Sequence, residues 1–125
     1  MITKEITICG KQVKVAYCYA TEIAYNEYTG EELPIFIQQA SAELVAKKMP
    51  KVKNVIFAVI AAMTPCYKDA EQAPIKDTEL MNDATPKEVG LALGTIINMY
   101  GEFYNIPLSE PKDKEPKKKG RRKNA

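Results

Sequence analysis

The apolar residues of this chain change period once, and that switch limits the folds open to it. From Ile2 to Tyr19 they alternate. Ile6 and Ile8 point one way, and after a turn at Gly10-Lys11 the residues Val13, Val15, Tyr17 and Tyr19 share a face. A period of two is that of a half-buried strand, so residues 2–19 are predicted to form a β-hairpin. Beyond Thr21 the apolar spacing becomes three or four, which places side chains on one face of a helix. A lone hairpin is marginal in water, so its apolar face must dock on those helices or pair with another chain. The expected fold class is therefore α+β, mainly α-helical, with an N-terminal β-hairpin followed by a small helical bundle.

Helix boundaries follow from local chemistry. Thr21 is expected to cap a short helix through about Tyr28, stopped by Thr29-Gly30. Ile37, Ala40, Leu44 and Val45 recur at helical spacing between Ile35 and Lys48, and Met49-Pro50 closes that segment. The stretch from Lys51 to about Tyr67 is apolar nearly all round in its middle, which predicts the most buried helix, with Pro65 kinking or ending it. Pro74 to Asp83 reads as one or two helical turns anchored by Leu80-Met81. Thr85-Pro86 with Glu88 is a helix start with a hydroxyl cap, Pro at the first position and a reciprocal capping box. Val89, Leu93, Ile96, Tyr100 and Phe103 continue it to Tyr104. Gly90, Gly94 and Gly101 each cost that helix roughly 1 kcal/mol relative to Ala. Their presence predicts a close contact, with another helix of the same domain favoured over a second subunit.

At 125 residues and 46% apolar content the chain can bury one core. A single globular domain is expected over 1–107, with the hairpin at 2–19 and helices over about 21–104. Residues 108–125 are expected to be a disordered basic tail, because Pro and charge leave nothing to bury. From Ser109 onward eight basic residues face three acidic ones. The tail thus carries +5 of the formal net charge of +2, leaving −3 for the body. Lys117, Lys118, Lys119, Arg121, Arg122 and Lys123 form its densest part, suited to weak, salt-sensitive contact with nucleic acid or an acidic protein. A linker or solubilising role fits equally well.

The chain has no His, so the usual near-neutral general base and the commonest metal ligand are missing. Cys9, Cys18 and Cys66 lack C-x-x-C spacing, and their odd number does not suggest a secreted disulfide framework. A reducing cytoplasm is expected. Cys9 and Cys18, on the two hairpin arms, are read as candidate cross-strand neighbours. Glu22, Glu27, Glu31 and Glu32 cluster around the first helix, where a solvated face is favoured over a cation site. The glycines of the last helix lack the strand-to-loop context of a phosphate loop. No segment reaches the roughly 20 apolar residues needed to cross a bilayer. The reading that results is of a non-enzyme, with no catalytic residue, no metal and no cofactor.

The hairpin "KEITICGKQVKVAYCYATEIAYNEYTG", the apolar "VIFAVIAAM" and the final "PKEVGLALGTIINMYGEFYNIP" together resemble the tail assembly chaperones of long-tailed bacteriophages and prophages. The resemblance is one of order and pattern over roughly Ile2 to Pro107, without a catalytic motif. It implies a small, mainly helical protein of the bacterial host cytoplasm that keeps the tape-measure protein soluble until tail-tube subunits polymerise around it. Its implied partners are the tape-measure and tail-tube proteins, and it allows a homo-oligomer. A tape measure is a long amphipathic helix whose apolar stripe needs covering. The candidate covering surfaces are the Tyr19-Tyr25-Tyr28 edge and any exposed part of the Gly90-Gly94-Gly101 face. A frameshifted longer product, of the kind many such phages make, would diverge within the tail near Lys117-Lys118-Lys119. The runner-up readings are a nucleic-acid-associated phage protein using the basic tail and a structural tail or connector component.

Overall fold

The computed structural model describes residues 1–67 and 72–106, and the expected basic tail lies outside the described residues. Two antiparallel strands, β1 (Ile2–Ile8) and β2 (Lys11–Tyr17), are followed by five helices. These are α1 (Tyr19–Thr29), α2 (Leu33–Val45), α3 (Val52–Met63), α4 (Asp77–Asp83) and α5 (Pro86–Tyr104), with a 3-10 turn at Thr64–Cys66 after α3. The α+β, mainly helical class inferred from the change of period is the observed one.

The hairpin register pairs Ile6 with Val13 and Ile2 with Tyr17. Opposed residues share a face, so Ile6, Ile8, Val13, Val15 and Tyr17 form one buried surface. That surface docks within the chain, β1 on α5 and β2 on α3. The turn falls one residue earlier than expected. Ile8 pairs with Lys11, and Cys9 and Gly10 both have positive φ, 53° and 72°, as a two-residue hairpin loop demands. The second strand is also shorter than predicted. It ends at Tyr17, and Tyr19 is the first residue of α1.

Thr21 is not the cap of α1. Cys18 holds that position, and Thr21 is buried in the first turn, where its hydroxyl accepts from the Cys18 N–H at 3.3 Å and donates to the Ala16 carbonyl at 2.8 Å. The hydroxyl thus stitches strand to helix. Gly30 ends α1 in the left-handed conformation, with its N–H on the Asn26 carbonyl at 2.7 Å. At the end of α2 the left-handed position is filled by Lys47, φ 61°, and the Lys48 N–H reaches back to the Glu43 carbonyl at 2.7 Å.

α3 is the central helix, as its all-round apolar pattern predicts. Asn54 and every residue from Val55 to Met63 except Phe57 are buried. Pro65 lies in the 3-10 turn that ends it. The exception to its apolar interior is Asn54, whose amide donates to the Tyr25 hydroxyl at 2.7 Å and to Glu31 Oε1 at 3.1 Å. A buried amide needs such partners, since an unmet one costs roughly 1–3 kcal/mol. α5 begins as its sequence announces. Thr85 Oγ1 accepts from the Glu88 N–H at 3.2 Å, and Glu88 Oε1 accepts from the Thr85 N–H at 3.1 Å.

Candidate functional site

The first half of α3 leaves one side uncovered. Val52, Lys53, Ile56 and Phe57 follow one another at helical spacing, and Met49 from the connector before the helix extends the row. Leu80, Met81 and Ala84 of α4, with Pro86 and Val89 at the start of α5, form the opposite wall. Between them lies a hollow of about 380 Å³. Its floor is core: Leu80, Val89 and Ile56 are buried. Its lips are not, because Met49 and Val52 are each 55% exposed and Met81 53%. Three large apolar side chains left half in water around one hollow form a patch rather than scattered exposure. Ligand pockets of this volume are mainly apolar with a few placed polar groups, and here Lys53 is the one charged group among the lining residues.

A second hollow, of about 470 Å³, lies further along α3 between Ile60, Met63, Tyr28 and Ile75. The stacked rings of Tyr28 and Phe57, centroids 5.4 Å apart and planes at 19°, stand between the two. Over the roughly 18 Å that a 12-residue helix spans, α3 therefore borders a concavity at each end, but the second is of mixed character, with Thr64, Lys76, Asp77 and Thr78 in its lining.

The tyrosines proposed from sequence as one edge separate in three directions. Tyr19 is 64% exposed at the start of α1, its ring edge-on to Phe103 at 5.2 Å. Tyr28 borders the second hollow. Tyr25 has no exposed surface. It stacks on Phe36 and is held by Asn54, so it belongs to the core and burial raises its hydroxyl pKa.

The glycines of α5 also divide. Among the described residues no side chain and no neighbouring element comes within 4 Å of where a Cβ would sit on Gly90 or Gly94, so the close contact expected within the domain is not made at those two glycines. Gly90 is exposed, Gly94 half-buried and Gly101 buried, which means the glycine face turns into the protein toward the end of α5. The Gly101 carbonyl is taken by the Ile106 N–H at 2.8 Å, in the cap built on left-handed Asn105. Lys117, Lys118, Lys119, Arg121, Arg122 and Lys123 fall outside the described residues.

The acidic residues of α1 and its connector do not converge. Glu22 accepts from the Tyr17 hydroxyl at 2.8 Å and from that of Tyr104, Glu31 accepts from Asn54, and Glu32 accepts from Asn26 at 3.3 Å. Burial first and the Glu22 carboxylate second raise the Tyr17 and Tyr104 pKa values, so both stay protonated donors. Among the described residues no three His, Cys, Asp or Glu side chains are placed to share a metal ion. The three cysteines are free and half-buried. Cys9 sits in the hairpin turn and Cys18 beyond the open end of the hairpin, so they are not cross-strand neighbours. Burial raises the Cys9 and Cys66 thiols, with Glu88 and Glu79 adding to the effect at Cys9.

Sequence reasoning missed Glu88 as more than a cap. Besides Thr85, its carboxylate accepts the Cys9 N–H at 3.0 Å and the Gly10 N–H at 3.2 Å, tying the hairpin turn to the start of α5. Lys11 adds a second tie, to Glu79 at 3.0 Å and the Pro74 carbonyl at 3.1 Å. These clamps fix the α4–α5 wall of the first hollow. Among the described residues no helix is long and apolar enough to cross a membrane. Comparison of the chain with known protein families, with curated proteins and with solved structures finds no match.

Proposed function

We propose that this chain is a non-catalytic assembly chaperone of the phage-tail type, and that the hollow between α3, α4 and α5 holds an apolar stripe of its tape-measure client. The observation that carries the reading is the contrast between the buried floor of Leu80, Val89 and Ile56 and the half-exposed lip of Met49, Val52 and Met81. A lip of that kind gains by being covered, at roughly 25 cal/mol per Å² of apolar surface removed from water. An amphipathic helix supplies the matching apolar row at intervals of three and four residues. The order of hairpin, apolar helix and terminal helix supports the same assignment, as the pattern that resembles this class. On this reading the protein works in the host cytoplasm, needs no cofactor, and releases its client to the tail-tube protein.

The test is co-expression of a tape-measure protein from the producing phage or prophage with the wild-type chain and with Val52→Asp and Met81→Asp. Both positions are more than half exposed, so the variants should fold. The wild type is expected to keep the client in the soluble fraction and the two variants to lose it. A client that is equally insoluble with and without the wild-type chain would sink the proposal.

A further inference from the structure

We infer that this groove selects an amphipathic helix carrying acidic residues beside its apolar stripe, and that Lys47, Lys48, Lys51 and Lys53 are the selecting groups. The inference rests on the client-holding reading and adds the chemistry of the client. Four lysines fall within seven residues, with no acidic residue among them, and they bracket Met49 and Val52 on the groove's lip. All four are exposed. The ion pairs among the described residues are Lys4–Glu102 and Lys11–Glu79, so none of the four is paired with an acidic side chain among the described residues. Lys87, exposed and next in sequence to Pro86 of the opposite wall, adds a fifth charge. Asp83, next to Ala84 of the lining, is exposed too and sets one negative charge against these five.

The placement is locally unfavourable, which is what gives it meaning. α3 starts at Lys51 without a side-chain cap, and its first turn contains Lys53 and no acidic residue. Cations there oppose the positive end of the helix dipole. Carboxylates from a docked helix would answer the lysines and the free amides together. The long lysine stems can lie along an apolar partner while their ammonium groups stay in water.

The experiment uses the full chain and two synthetic amphipathic peptides with the same leucine stripe, one flanked by glutamates and one by lysines. Binding is followed by fluorescence anisotropy at low and high salt. The glutamate peptide is expected to bind about tenfold tighter at low salt, with the advantage shrinking as salt rises. In the K51E/K53E variant two glutamates balance Lys47 and Lys48, so the preference should be lost, and circular dichroism should report an unchanged fold. Equal binding of both peptides, still weakened by Val52→Asp, would overturn the acidic selection and leave the client-holding groove standing. Binding of both peptides that ignores Val52→Asp and Met81→Asp would remove the groove as well. If the lysine reversal abolishes binding of duplex DNA and leaves the peptides unaffected, the lysines serve nucleic acid and the inference fails. It fails too if Met81→Asp converts a sedimenting dimer to monomer, because a second copy then fills the groove.

Discussion

The starts of α5 and α3 lie on opposite walls of the same groove and are built by opposite rules. At α5, Thr85 caps the helix, Pro86 occupies its first turn, and Glu88 places a carboxylate at the positive end of the dipole. That carboxylate then gathers the amides of Cys9 and Gly10 from the hairpin. At α3 the residue in the capping position is Lys51, no side chain caps the helix, and the nearby charges have the wrong sign. One end holds the fold together and the other leaves its polar groups open. Where local preferences agree a site is built for stability, and where they are broken in concert the cause is sought in function.

The largest loss should come from the closed end. Glu88→Ala removes the acceptor of three backbone N–H groups and should lower the thermal midpoint more than Thr85→Ala or any change on the groove's lip. The pH dependence has a defined sign. Hydrogen bonds from Thr85, Gly10 and Cys9 hold the Glu88 carboxyl below its ordinary range. Its contribution is therefore complete above the unfolded Glu value of about 4.3 and is lost as pH falls through the lower folded value. Acid titration of the thermal midpoint should show a steeper fall for the wild type than for Glu88→Gln.

Thr85→Ala should cost about 1 kcal/mol in urea denaturation, the usual worth of a helix cap. The open end should respond in the other direction. Lys51→Ser should raise stability by about 0.5–1 kcal/mol by supplying a cap and removing a cation, while weakening the glutamate-flanked peptide. A gain in stability with undiminished peptide binding would break the comparison, since the unfavourable start would then serve nothing. The smallest effect is expected at Gly90→Ala. No side chain and no neighbouring element among the described residues stands near the added methyl, so the helix should gain up to about 1 kcal/mol. A stable variant with impaired self-association would reassign the exposed part of the glycine face to a second subunit.

Much of the fold was legible because its signals are local. The period of two, the Thr85-Pro86 start with Glu88, the Gly30 stop and the apolar middle of α3 all declare themselves within a few residues. The errors occurred where a tertiary partner changed a local preference. Thr21 looks like a cap but is drawn inward by the Ala16 carbonyl, and the cap passes to Cys18. Tyr25 looks like its neighbours Tyr19 and Tyr28 but meets Asn54 across the core. The groove itself could not be read. Its lining runs from Met49 to Val89, and Val52 and Met81 have the spacing of core residues. Their exposure, 55% and 53%, appears only in the folded chain.

Hydrogen exchange of the chain with and without its tape-measure client tests the central claim most directly, because the candidate surfaces lie on different helices. The groove account predicts slowed exchange in the connector around Met49, the first turns of α3, and α4, with α1 near Tyr19 unchanged. Protection confined to the start of α1 or to the Gly90-Gly94 face of α5, with α3 and α4 unaltered, would contradict it.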